Sequence, residues 1–271
     1  MKVYFTVGSL EEINYMNVGG LTSMLVSYHY FKQHADAIKM WNEKIDMFID
    51  SGAYSAMTQN KPIDIDEYCE YLKFIDAKVY AGLDVIGDPI KTKENIEYME
   101  KVHKLNPIPT FHMKEDIKYL ETMVEKYDYI ALGGMVYADG IENWLSKVWN
   151  YIYKVKPELK VHAFGITTVK HLVKYPWYSV DSTTHVSGRR FGRMILFDDH
   201  KKTITDERFK VWIRKFGTLA MDPTFVTDLK WQRALTDIVA ARAYRNFIDS
   251  INDQNRDYTY LKQQQTLFDK L

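Results

Sequence analysis

The chain has 271 residues, and its 36 lysines and arginines balance 36 aspartates and glutamates, for a formal net charge of zero. A composition 46% hydrophobic and 27% charged excludes wholesale disorder, and no stretch approaches the roughly 18 consecutive apolar residues of a membrane-crossing helix. The N-terminus turns acidic at Glu11 and Glu12, too early for a signal peptide. One cysteine, Cys69, excludes an intramolecular disulfide framework and a zinc site built from several thiolates. We therefore expect a cytoplasmic protein with no membrane association, no metal and no cofactor.

Short β-branched and aromatic runs at residues 3–7, 47–50, 79–84, 108–112, 129–134, 161–165, 178–181 and 194–197 read as strands buried on both faces. Helix candidates lie between them. Residues 65–75 gather Ile65, Tyr68, Cys69, Leu72 and Phe74, and residues 116–127 present Ile117, Leu120, Met123, Val124 and Tyr127 at spacings of three and four. Residues 141–155 repeat the stripe through Trp144, Leu145, Val148, Trp149 and Ile152. This alternation predicts an α/β fold, a (β/α)8 TIM barrel with extra C-terminal helices. Residues 182–193 offer no clear full helix before the last strand. After residue 200 the strand signal stops and helices dominate, notably at 229–251. Residues 1–271 are expected to form a single barrel domain, with 201–271 as a helical C-terminal part packed on it.

Barrel chemistry gathers at the C-terminal ends of the strands, and three of these runs end in aspartate: Asp50, Asp84 and Asp181. A lone aspartate there is commonly a helix cap. Three converging on one mouth would instead split their pKa values, as separate nucleophile and acid/base roles require. Asp50 opens a small-residue turn through Ser51, Gly52, Ala53 and Tyr54. Asp181 opens a polar loop closed by Arg189 and Arg190, and the pair Gly133-Gly134 closes another run. Residues 187–215 carry nine basic residues against four acids, a local charge of +5 in a neutral chain.

Asp50-Ser51-Gly52-Ala53-Tyr54, Gly82-Leu83-Asp84, Leu132-Gly133-Gly134-Met135, Phe164-Gly165-Ile166 and Asp181-Ser182-Thr183-Thr184 occur in the order found in tRNA-guanine transglycosylases. Over roughly residues 45–195 the chain resembles these queuine tRNA-ribosyltransferases and their relatives, most of all the phage and DNA-modification branch that inserts 7-deazaguanines into DNA. The resemblance implies Asp181 as the nucleophile on the sugar's anomeric carbon, Asp50 as general base, and Asp84 as reader of the purine N1–H and exocyclic amine. Tyr54 and Phe164 would sandwich the base, and a backbone amide at Gly133 or Gly134 would meet its carbonyl oxygen. Two departures stand out. The family's zinc site of three cysteines and a histidine is absent, and His112 occupies a base-binding strand end where the tRNA enzymes usually carry glutamine.

The function expected is exchange of guanine in a polynucleotide, DNA before tRNA, for a free 7-deazaguanine base through a covalent aspartyl–sugar intermediate. Arg189, Arg190 and the basic run after them are expected to hold the flanking phosphates. Two other readings stay open. One is a metal-dependent TIM-barrel hydrolase using Asp50, Asp84 or Asp181 with His112, His162 or His185; the other is a non-catalytic nucleic-acid-binding subunit.

Overall fold

In the computed structural model, which describes residues 1–135, 138–166, 169–209, 211 and 229–256, most of the apolar runs become parallel strands. The chain divides into two compact units, Met1–Leu10 with Thr22–Thr183 and Glu11–Leu21 with Thr184–Leu271.

The first unit is α/β. Chain order runs from β1 (Lys2–Val7) through α1 (Leu10–Val18), which belongs to the second unit from Glu11 on, to β2 (Ser23–Ser27), α2 (Tyr28–Phe31) and α3 (Ala35–Asn42). Then come β3 (Asp46–Asp50), α4 (Ala53–Thr58), α5 (Ile65–Phe74), β4 (Val79–Tyr80), α6 (Pro89–Lys101), β5 (Thr110–His112) and α7 (Ile117–Lys126). β6 (Tyr129–Gly133), α8 (Ile141–Val155), β7 (Lys160–Ala163), α9 (Val169–Lys174) and β8 (Ser179–Ser182) complete it. The eight strands form one curled sheet in the order β4-β3-β2-β1-β8-β7-β6-β5, every neighbouring pair parallel. Outside the named strands, one isolated parallel bridge pairs Ala81, just past β4, with Ile108, just before β5. There Gly82 N–H donates to Ile108 O, and Ile108 N–H to Tyr80 O, each at 2.9 Å.

Successive strand residues point to opposite faces, so i and i+2 share one. Tyr4, Leu25, Phe48, Ala81, Ile108 and Ala131, one from each of six strand segments, pack into a single buried cluster with Val79, Tyr129 and Phe164 against it. Two residues further along the same faces lie Thr6, Ser27, Asp50, Thr110 and Gly133. The cluster therefore dictates which side chains ring the C-terminal end of the sheet.

The predicted helices at 65–75, 116–127 and 141–155 form within a residue of their expected bounds. Their stripes are buried: Tyr68, Cys69 and Leu72 on α5, Leu120 and Val124 on α7, Leu145, Val148, Trp149 and Ile152 on α8. Three caps are aspartates in loops. Asp64 accepts from Asp66 N–H and Glu67 N–H, Asp88 from Lys91 N–H, and Asp116 from Lys118 N–H.

Three strand expectations change. The run at 79–84 is a strand only at Val79–Tyr80, so Asp84 lies in the loop beyond it. Residues 23–27, not singled out in the sequence, form β2, whose buried apolar core is only Met24, Leu25 and Val26 between serines. Residues 194–197 do not join the parallel sheet. They lie in β9 (Arg193–Asp198), which pairs antiparallel with β10 (Thr203–Arg208) in the second unit. Local turn chemistry decides this: the Asp198 carboxylate accepts from His200 N–H and Lys201 N–H, both at 3.0 Å, and Lys202 adopts φ 51°. The strand β10 also corrects the expectation that strands end at residue 200.

In the second unit, which also holds α10 (Val186–Phe191), β9, β10 and α11 (Leu229–Arg256) share a small core of Ile195, Ala240 and Ala243, with Phe197, Ile204 and Tyr244 against it. α1 approaches α11 closely. A Cβ on Gly19 would stand 2.4 Å from Ala241 Cβ, a contact only glycine permits. Among the described residues no helix is long and apolar enough to cross a membrane.

Candidate active site

Asp50 ends β3, Asp181 lies in β8, and Asp84 lies in the loop four residues past the end of β4, not at a strand end as expected; Asp84 and Asp181 are each in electrostatic range of Asp50. Burial first, then the carboxylates of Asp84 and Asp181, push the Asp50 carboxyl up to about 7, against the pull of the Gly52 and Ser51 backbone N–H groups. Asp50 Oδ2 accepts from Gly52 N–H at 3.0 Å. Gly52 holds φ 78°, and a Cβ there would lie 2.4 Å from Ser27 Oγ and 2.5 Å from His29 Cβ, so this turn requires glycine.

Asp181 is held from two other strands. Its Oδ1 accepts from Gly165 N–H at 2.7 Å and its Oδ2 from the Thr6 hydroxyl at 3.3 Å. Neither Asp181 nor Asp84 caps a helix; that work falls to Asp64, Asp88 and Asp116.

Asp84 sits beside His112, with Nε2 3.4 Å from Asp84 Oδ2, while Nδ1 lies 3.2 Å from Glu115 Oε1. Glu115 Oε2 also accepts from His112 N–H at 3.1 Å. Burial opposes charge on this imidazole, but its contacts with Asp84 and Glu115 outweigh burial and push its pKa up to about 10. At neutral pH the arrangement is carboxylate, imidazolium, carboxylate. Gly133 makes room for it, since a Cβ there would lie 2.8 Å from His112 Cδ2 and 3.1 Å from Nε2. Gly134 follows in a left-handed conformation, φ 73°.

Behind Asp181 lies a layer of which the sequence reading singled out only His162, as a metal-ligand candidate, and missed Ser179 and Tyr129. His162 is fully buried, its Nδ1 2.7 Å from Ser179 Oγ, which lies 2.5 Å from Tyr129 OH. His162 Nε2 stands 3.8 Å from Asp181 Oδ1. Burial pulls this histidine's pKa down more than Asp181 raises it, so the ring is neutral. Alternation was the available signal, because Ser179 precedes Asp181 by two residues on one face. Glu115 was legible only as a carboxylate three residues after His112.

The buried polar atoms of this unit with no hydrogen-bond partner among the described residues include Ser27 Oγ, Asp84 Oδ1, Thr110 Oγ1 and His162 Nε2, and also Tyr71 OH and Trp149 Nε1 on the helices. Buried polar atoms are nearly always paired, and a polar ligand at the mouth would pair the first four. The two aromatic residues expected around a base, Tyr54 and Phe164, lie in different surroundings. Phe164 packs on Phe48 and His162 at ring distances of 5.6 and 4.5 Å. Tyr54 is 66% exposed on α4 and makes no ring contact with Phe164 among the described residues.

Of the two expected phosphate-gripping arginines, both on α10 of the second unit, Arg189 is already engaged. Its Nη1 donates to Asp237 Oδ2 at 2.9 Å, and Nη2 lies 3.7 Å from Glu12 Oε1, which is also 2.8 Å from His185 Nε2. Arg190 is exposed. Lys210, Arg214 and Lys215 of the basic stretch lie outside the described residues. Cys69 is buried and its thiol is pushed up to about 11, chiefly by burial, so the chain does not fit a thiolate zinc site of the kind the resembled family carries. Among the described residues, no three His, Cys, Asp or Glu side chains are grouped to hold a metal ion.

No family model matches the chain. It is 25% identical over 179 residues to uncharacterized protein 306 of Sulfolobus islandicus rod-shaped virus 1. That match covers 61% of this chain and 57% of the viral protein, so the chain spans a little over half the length of the curated relative it matches.

Proposed function

We propose that this protein is a guanine/7-deazaguanine transglycosylase acting on a polynucleotide, DNA before tRNA, built on a (β/α)8 barrel. The bridge between Ala81, just past β4, and Ile108, just before β5, supports reading the sheet as a closed barrel. One observation carries the chemical reading: Asp50 and the two carboxyl groups in electrostatic range of it, Asp84 and Asp181, have been given different surroundings. Asp181 is clamped by two donors, Asp50 is poised near neutrality, and Asp84 keeps one buried oxygen unpaired beside a cationic histidine.

In this reading the Asp181 carboxylate attacks C1′ of the target nucleotide. The C1′–N9 bond breaks, its electron pair leaves with guanine, and protonated Asp50 delivers the proton that the departing base needs. Asp50, now ionised, removes N9–H from the incoming 7-deazaguanine. N9 then attacks C1′ and displaces Asp181, restoring both carboxyl groups. A pKa of about 7 suits both halves of the cycle. Asp84 Oδ1 accepts from the base's N1–H or exocyclic amine, and Phe164 offers one stacking face. A nucleotide inside a duplex must first be flipped out, at about a few kcal/mol. The viral source of the relative accords with a host cytoplasm as the setting.

The test is incorporation of labelled guanine and of 7-deazaguanine bases into DNA and tRNA, with Asp181→Ala alongside. Exchange reduced to below about a thousandth of wild type, with folding and base binding kept, is the expected result. Near-normal exchange by Asp181→Ala removes the nucleophile assignment.

A further inference from the structure

The second unit contains a cavity of about 750 Å³, within the size range of small-ligand sites. Four arginines line it, Arg189, Arg193, Arg208 and Arg233, together with Phe191 and Phe209, and among the described residues no acidic one does. From these residues we infer that the cavity binds a segment of single-stranded nucleic acid, with guanidinium groups on the phosphodiesters and a base stacked on Phe191.

The local structure explains why the charges gather. Gly192 ends α10 in a left-handed conformation, φ 63°, and turns the chain directly into β9, so Phe191 and Arg193 flank the bend. In the hairpin register Arg193 stands directly opposite Arg208. Like charges at such a pair are destabilising unless a counter-charge intervenes. Asp206 takes one of them, accepting from Arg193 Nη2. Arg193 Nε is buried with no hydrogen-bond partner among the described residues. Arg189 is committed to Asp237 and Glu12. Arg208, on β10, and Arg233, on α11, line the cavity with no salt bridge to a carboxylate among the described residues.

Phe191 is 75% exposed, which leaves a large apolar ring in water next to cationic groups. That combination suits a strand of nucleic acid: phosphates meet planar guanidinium forks, and any base can stack on the ring irrespective of sequence. The inference stands on this unit's own residues and does not rest on the base-exchange reading.

The experiment is fluorescence anisotropy of a labelled single-stranded oligothymidylate with the full chain, titrated across salt concentrations. Removing one arginine–phosphate pairing with a single strand lowers the log-affinity against log-salt slope by about 0.7, so Arg208→Ala with Arg233→Ala is expected to lower it by about 1.4. The matching pair Arg208→Lys with Arg233→Lys keeps the slope, which separates the effect of charge from that of misfolding. Phe191→Ala weakens binding at least about fivefold with an unchanged slope, and Phe191→Trp restores it. Oligothymidylate carries no guanine for base exchange, so its binding is read independently of that activity, and failure of the transglycosylase reading and failure of this one give different results. A slope unaltered by the double alanine variant, or affinity indifferent to Phe191→Ala, overturns the inference. Equal competition by a free mononucleotide overturns it too, by making the cavity a mononucleotide site.

Discussion

Replacing His112 by glutamine, the residue usual at this strand end in the family the chain resembles, tests the electrostatic account of the mouth. His112 has its pKa raised from 6.5 to about 10 in the folded protein. A folded-state pKa above the unfolded one means that the native state holds the proton more tightly. The stabilisation is thus fully present below pH 6.5 and is lost as pH rises through 10. The difference of about 3.5 units, at about 1.36 kcal/mol each, corresponds to at most about 5 kcal/mol across that window. The side chain is 21% exposed and its two carboxylate neighbours 12% each, so solvent screening removes only part of this. The same geometry forecasts the cost of the mutation at pH 7, where Asp84 and Glu115 would be left buried without their cation. Urea unfolding of the wild type and His112→Gln at pH 6.5, 8 and 10, followed by tryptophan fluorescence, measures it. The stability gap between the two proteins should be largest at pH 6.5 and shrink by several kcal/mol by pH 10, with similar slopes against urea. A gap that stays constant across the range would show that His112 carries no extra proton, and the carboxylate–imidazolium–carboxylate arrangement would have to be abandoned.

Asp50→Asn should abolish base exchange yet raise the melting temperature at pH 8, because a carboxyl raised from 3.8 to about 7 destabilises the fold once pH has passed its folded-state value. A lowered melting temperature at pH 8, measured by differential scanning calorimetry, contradicts this. Gly133→Ala should cost about 1–3 kcal/mol by forcing a Cβ into the His112 ring. Chemical denaturation reads that cost, and full stability in the variant would mean the ring is free to move aside.

The helical stripes of α5, α7 and α8 and the runs that became β1 and β3 to β8 are visible in the sequence because their burial repeats with the period of the local element. That periodicity is a property of neighbouring residues. The positions of Asp50 at the end of β3 and of Asp181 in β8 follow from the same runs, whereas Asp84 lies in the loop past β4. Partner choice is not local. Residues 23–27 carry a buried core of three residues and are a strand only because β1 and β3 flank them, pairing Leu25 with Thr6 and Phe48. Residues 194–197 have the stronger strand pattern, yet the turn at Asp198 to Lys202 pairs them with β10. Electrostatics divides in the same way. Three aspartates are a fact of the sequence. That Asp181 is clamped by Thr6 and Gly165, from positions 175 and 16 residues away, depends on long-range packing. So does the cation that His112 becomes between Asp84 and Glu115, and so does the commitment of Arg189 to Asp237. A pKa or an ion pair is set by burial and by the charges a few ångströms away, and only the folded chain decides which charges those are.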